Sequence, residues 1–347
     1  MDSVIGMLIF CAGGLAGATF LLPARGVKGW AYESWWLVYV FIGLIVCPPV
    51  ICYFTVPDFW NVVMSAPTRV RVLCSLCGAM WGVGALCWGL MVRYLGIGLG
   101  LAIGCGVCSG TATLIPKVVK ISAGHFQGLD IASLYSTVGA RITLLGVLLS
   151  LVGIVFVGLA GKSKESEMPE EEKKKAVAEF DFKKGLITAI LAGVFSAGMN
   201  FGLQFAPEIE DAAVAAGAKA CWRGMPVIMV VLWGGFVVEL LWCLQQNFKN
   251  RTFGDYLKFS PRNVLLSGAI GVIWVMQFVC TKAGEPLLGD LKYISFAVLM
   301  ASTIFFSTLI GVVFGEWKGV GVRTKAFLAL GTLIMVASFC VISLGSK

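Results

Sequence analysis

The strongest chemical signal in this sequence is a carboxylate in an apolar setting. Of its 19 acids, Glu239 alone sits well inside an apolar run, VVLWGGFVVELLWCL. An ionised carboxylate is costly in hydrocarbon, so it must face a cavity, take a partner or carry a proton. Two roles fit. Glu239 is a proton- or cation-coupling group that loads and releases its charge, or it is structural, pairing with Lys282 or Lys292 or reaching the membrane interface.

Neutral groups supply the rest of the candidate chemistry. Trp274, Gln277, Phe278 and Thr281 stand at i, i+3, i+4 and i+7, one face of a helix. Trp81 and Trp88 share a face with small residues between them, Asn200 and Gln204 align at i and i+4, and Tyr293 opens a later apolar run. Amides bond hydroxyls and indole faces cover apolar C–H surface, so this set suits a neutral polyol. A charged substrate would call for a buried opposite charge, and Glu239 is the sole candidate. Each aromatic also fits plain core packing or an interfacial belt, most of all Trp30, Trp35 and Trp36 at the edge of a run.

Other chemistries find no footing. Cys74/Cys77 and Cys105/Cys108 are CxxC pairs, but they lie in apolar runs, the chain has 1 His, His125, and zinc wants about four ligands. No metal site is expected, and the 12 Cys read as small buried thiols. The glycines from Gly96 to Gly110 lie within an apolar run with no Walker-type Lys after them, so neither ATP nor another cofactor is expected. No catalytic triad can be assembled around His125, so an enzyme is not expected.

The elements that must hold these residues are set by composition. Hydrophobic residues make up 58% of the 347 and charged ones 13%, with mean hydropathy +0.89. A soluble domain carries about 25% charged residues, so lipid is the solvent for much of this chain. The net charge of +8 is scattered over short loops, which argues against a nucleic-acid surface. A helix crossing the bilayer needs about 20 apolar residues. Ten runs qualify: 3–22, 36–56, 73–92, 95–115, 141–160, 184–205, 225–245, 264–282, 293–314 and 326–344. The first continues too far for a cleaved leader and has no basic start. Strands are not expected, because the runs are continuous rather than alternating.

A charged segment, GKSKESEMPEEEKKKAVAEFDFKK at 161–184, divides the runs into five and five. The expected organisation is an N-terminal five-helix repeat over 1–160, a linker over 161–183 and a C-terminal repeat over 184–347. Loops after runs 1, 3, 5, 7 and 9 hold 17 of the 27 basic residues, which places the linker in the cytoplasm and both termini outside. Weak echoes relate the halves: Leu145-Gly146 with Leu330-Gly331, Gly78-Ala79 and Gly82-Val83 with Gly268-Ala269 and Gly271-Val272, and Ala12-Gly13 with Ala192-Gly193. An odd number of spans per half makes the repeats inverted, an architecture of secondary transporters.

Several strings then resemble the L-rhamnose–proton symporter family, a branch of the drug/metabolite transporter superfamily. They are Val27-Lys28-Gly29-Trp30 with Glu33 and Trp36, Pro57-Asp58-Phe59-Trp60, GAMWGVG at 78–84, GLMVRYLG at 89–96 and ARITLLGVLLSLVGI at 140–154. EFDFKKGL at 179–186, FSAGMNF at 195–201, Trp274 with Gln277-Phe278, Tyr293-Ile294-Ser295 and Gly315-Glu316-Trp317 complete the set. The likeness runs from end to end. It implies an all-α fold of ten transmembrane helices in two inverted five-helix repeats. It implies uptake of a neutral 6-deoxyhexose, L-rhamnose first, with a coupling proton across a bacterial inner membrane. Glu33 joins Glu239 as a proton-coupling candidate, and no obligate protein partner is implied. The alternatives are another sugar such as L-fucose, sodium coupling, or a metabolite or drug exporter on the same scaffold.

Overall fold

The structure is a computed structural model that describes residues 2–122, 125–167, 179–258, 260–288 and 295–345. The first half begins with α1 (Asp2–Thr19). Then come α2 (Tyr32–Val40), a π-helical turn (Phe41–Val46) and α3 (Cys47–Thr55), one continuous rod. A short α4 (Phe59–Ser65) follows Asp58, whose φ of 50° is tolerated by a short polar side chain. Next are α5 (Thr68–Leu95), α6 (Ile97–Val118) and α7 (Val138–Glu167). Gly96, at φ 84°, makes the left-handed corner between α5 and α6.

The second half runs through α8 (Phe182–Phe195), α9 (Gly198–Gln204), α10 (Pro207–Ala215), α11 (Met225–Asn250) and α12 (Gly254–Leu257). It ends with α13 (Pro261–Gly284), α14 (Ser295–Val313) and α15 (Val322–Gly345). Local signals set the helix starts. Asp181 accepts from Lys184 N at 2.9 Å to cap α8, and Ser260 caps α13 with Pro261 at its first position.

Among the described residues, seven helical segments are long and apolar enough to cross a membrane: Val4–Gly26, Tyr32–Thr55, Thr68–Leu95, Val138–Lys164, Met225–Asn250, Pro261–Leu288 and Val322–Ile342. Ile97–Cys108 and Ala301–Val313 are shorter apolar helices. The chain is thus a predominantly helical, multi-pass membrane protein. The run at 184–205 is two helices, α8 and α9, broken at Ser196-Ala197, where Ser196 Oγ turns back to Ala192 O at 2.6 Å. Among the described residues, one small β element lies outside the spans, an antiparallel hairpin of β1 (Val119–Ser122) and β2 (His125–Leu129).

Glycines set the helix contacts. Gly13, Gly14 and Gly17 of α1 seat against α13 and α14, and Gly43 lies on Gly271 with 3.1 Å left for a Cβ. Gly78 and Gly82 of α5 lie on Val231 and Gly235 of α11. The antiparallel pair α7–α15 closes through Gly146, Gly153 and Gly331. These small residues let backbones approach where no hydrophobic force separates protein from lipid.

The ends of the helices nearest the linker are laced together. Lys28 N donates to Asn263 Oδ1 at 3.2 Å, and Asn263 Nδ2 returns to Lys28 O at 2.8 Å. Arg93 pairs with Glu179 at 2.5 Å. Glu316 accepts from Ile97 N and Gly98 N at 2.9 and 3.0 Å, capping α6. Glu167 accepts from Gly321 N at 2.7 Å and Thr324 Oγ1 at 2.9 Å. At the opposite end a cavity of about 460 Å³ opens, lined by Glu210, Lys219, Cys221, Arg223, Lys282 and Glu285.

Candidate functional site

The candidate site grows from α5 and α13. Trp81 and Trp274 meet across the helices with ring centroids 5.5 Å apart and planes at 43°. Phe278, one turn along α13, meets Trp274 edge to face at 5.1 Å. Gly235 of α11 backs the Trp81 ring; a Cβ there would come within 2.7 Å of it. Trp81, Trp274 and Phe278 are therefore gathered into one aromatic cluster.

Beside it, Gln277 Nε2 donates to Trp274 O at 3.0 Å, which turns the amide toward α1. A Cβ on Gly17 would stand 3.5 Å from both Gln277 Oε1 and Thr303 Oγ1. The amide and the hydroxyl thus face one notch that the missing side chain leaves open. Thr303 and Gly17 escaped the sequence reading; the small-residue stretch around Ala12-Gly13 was the available signal.

Of the other expected contacts, Trp88 and Gln204 lie elsewhere. Trp88 donates its N–H to Ser196 Oγ at 2.9 Å, at the break between α8 and α9, and so turns toward those helices. Gln204 ends α9 as an exposed side chain. Asn200 lies on α9 with a side chain outside the described residues, as is the whole of Tyr293.

Glu239 is fully buried on α11. Its Oε2 accepts from the Trp36 indole N–H, and its Oε1 has no partner among the described residues. The Trp36 ring is clamped between Tyr32, stacked at 5.1 Å and 21°, and Tyr39, edge-on at 5.0 Å. Trp36 is thus a buried ligand of a carboxylate rather than an edge residue. Of the lysines weighed as partners, Lys282 sits 3.7 Å from Glu285, and Lys292 is outside the described residues. Glu33, buried at the start of α2, accepts from Asn250 Nδ2 at 2.9 Å and Thr252 Oγ1 at 2.8 Å.

One spacing joins the two parts. Gly235 touches Trp81, and Glu239 follows it at i+4 on α11, the same face about 6 Å along the axis. A buried carboxylate with a spare oxygen therefore stands one turn from an aromatic platform. Such a site can take a neutral solute on the rings and a proton on the acid.

A match to the family described as L-rhamnose-proton symport protein spans residues 1–347. The chain belongs to this family. Proteins named L-rhamnose-proton symporter from Escherichia coli strain K12 DH10B and from Shigella flexneri are each 32% identical to it over 354 aligned residues, covering 99% of both chains. One of that name from Cronobacter sakazakii is 32% identical over 348 residues, 98% of this chain and 97% of its own. The rhamnose symport relatives are named as transporters, and the family match covers every helix described above.

Proposed function

We propose that the chain is a secondary active importer that carries L-rhamnose with a proton, by alternating access, across a bacterial inner membrane. The observation that carries this reading is the one-turn spacing between the Trp81–Trp274 platform and Glu239. The sugar lies against Trp81, Trp274 and Phe278, with Gln277 and Thr303 bonding its hydroxyls. Trp88, Asn200, Gln204 and Tyr293 remain candidate contacts. Glu239 takes the proton and Glu33 serves it from the linker end. The protonated acid and the bound sugar favour each other, so by linkage each raises the affinity for the other equally.

Ten spans in two inverted five-helix repeats, 1–160 and 184–347 around a cytoplasmic linker at 161–183, complete the reading. This is the drug/metabolite transporter fold, with both termini periplasmic. The packing supports it. If each span is exchanged for the one five places along, α1 against α13 and α14 becomes α8 against α5 and α6, and α2 against α13 becomes α11 against α5. The pairs α7–α15, α6–α14 and α2–α11 map onto themselves. Gly43 on Gly271 becomes Gly235 on Gly82.

Coupling is read directly by adding L-rhamnose to lightly buffered purified protein. Proton uptake is expected, and L-fucose in a parallel sample tests the sugar. In proteoliposomes, Glu239→Gln should keep rhamnose counterflow and lose accumulation driven by a pH gradient. Accumulation at the native level in that variant would remove Glu239 from the mechanism.

A further inference from the structure

A second cavity, of about 380 Å³, opens at the linker end between α7 and α15. Its lining is Leu159, Lys162, Ser163 and Ser166 from α7, and Arg323 and Phe327 from α15. On α7 these stand at i, i+3, i+4 and i+7, and on α15 at i and i+4, so each helix turns one face to the space. The two helices run antiparallel, which sorts the lining by depth. Leu159 and Phe327 lie on the membrane side, and Lys162, Ser163, Ser166 and Arg323 lie beyond them toward water. The apolar spans Val138–Lys164 and Val322–Ile342 both end here, which puts the cavity at the level of lipid head groups.

The charge of this cavity has no counterpart in its walls. Lys162 and Arg323 line it and no acid does. Among the described residues neither cation makes an ion pair, and the Arg323 guanidinium lies over the Phe327 ring at 5.4 Å. The carboxylate beside the cavity, Glu167, is already committed. Its Oε1 accepts from Ser163 Oγ at 2.8 Å and Thr324 Oγ1 at 2.9 Å, and its Oε2 accepts from Gly321 N at 2.7 Å. Arg323 acts on it through space, without a hydrogen bond. An ammonium and a guanidinium are donors only, and a guanidinium meets a phosphate in two bonds at once. The space far exceeds the volume of about 30 Å³ that a water takes in the liquid, so a larger group fits. One turn deeper into the spans, Val155 on α7 and Leu330 on α15 are exposed and continue the apolar side.

We propose that this cavity binds an anionic phospholipid, whose phosphate bonds Lys162 and Arg323 and whose acyl chain runs along Leu159 and Phe327. A cationic rim over an apolar floor matches a lipid from head to tail. A free phosphate would use the cations alone and leave the floor without a role. Basic pockets between membrane helices are where acidic head groups lodge. The bound lipid joins α7 to α15 beside the Glu167 bonds, and because it needs both helices in place it stabilises the folded chain by mass action. Neither Glu239 nor the aromatic platform enters this proposal, so it stands apart from the transport reading.

The test melts purified protein, stripped of lipid in a neutral detergent, with phosphatidylglycerol, phosphatidylcholine or inorganic phosphate. Phosphatidylglycerol at about a hundredfold excess over its Kd should raise the melting temperature by about 5 °C, and the other two should not. Lys162→Gln/Arg323→Gln should lose that shift. Lys318→Gln/Lys325→Gln removes two exposed cations of the same end that lie outside the cavity, and should keep it. An equal shift with phosphatidylcholine, or with inorganic phosphate alone, overturns the site. So does a native shift in the first variant or an equal loss in the second. If the first variant shows no cooperative melting, Ser166→Asp replaces it and sets a charge like that of the phosphate in the cavity. Loss of the shift then supports the site, and a native shift overturns it.

Discussion

Gly235 decides where the Trp81 ring lies. With no side chain on that face of α11, the indole rests against backbone and meets Trp274. Gly235→Ala should push the ring away and raise the rhamnose KM in counterflow. Trp274→Ala should raise it about tenfold, the factor that goes with about 1.4 kcal/mol. An unchanged KM in both would take the sugar off these rings. The face carrying Trp274, Gln277 and Phe278 was legible from spacing alone. The meeting of Trp81 with Trp274 was not, because periodicity orders residues within a helix and says nothing of which helix lies opposite. The same holds for Trp36, whose bond to Glu239 spans 203 positions of sequence. Its neighbours in the chain suggested a membrane edge, and its neighbours in space make it a carboxylate ligand.

Helix against helix, the fold depends on where a methyl group can be tolerated. A Cβ on Gly78 would overlap the Val231 carbonyl, whereas one on Gly158 would meet nothing within 4 Å. Gly78→Ala should cost about 1–3 kcal/mol by overpacking. Gly158→Ala should gain about 0.5–1 kcal/mol from helix propensity. Thermal unfolding in detergent separates the two, and equal shifts would contradict the packing. Glu167 ties α7 to α15 through the Gly321 N–H, Ser163 and Thr324, and these bonds hold its carboxyl below the usual range. An acid lowered in the folded state stabilises it above the unfolded value and loses that effect as pH falls through the folded value. The difference in melting point between the native chain and Glu167→Gln should therefore vanish in acid; a difference that grows in acid would reverse the sign. The sequence announced these helices by their apolar length. It did not show α7 continuing to Glu167 or the break at Ser196-Ala197, since charged residues extend a helix as readily as apolar ones and Ser196 looks ordinary until its hydroxyl turns back on the chain.

The whole molecule is asymmetric along its helices. One end is tied by Asn263, Glu167, Glu316 and Arg93, and the other holds the cavity of about 460 Å³ between the ion pairs Arg223–Glu210 and Lys282–Glu285. α13 connects that cavity to the aromatic platform, from Lys282 through Phe278 to Trp274. In the proposed orientation this is the periplasmic mouth. Cys221 lines it, so a membrane-impermeant maleimide applied to right-side-out vesicles should label Cys221, and rhamnose should change the rate. Labelling from the linker side alone would invert the topology. Counting basic residues could not show the lacing, in which the carboxylates of Glu167 and Glu316 and the amide of Asn263 bond backbone groups and Arg93 pairs with Glu179.

The wide turn at Phe41–Val46 has a reach beyond its six residues. Every residue advances a helix by about 100° about its axis, so the additional residue in that turn offsets what lies before it from what lies after by about a quarter of a revolution. Trp36 before it is aimed at α11 while Gly43 within it is aimed at α13. The rod thus carries two phases, and shortening it by one codon there would swing the indole off the acid while the glycine contact stayed in place.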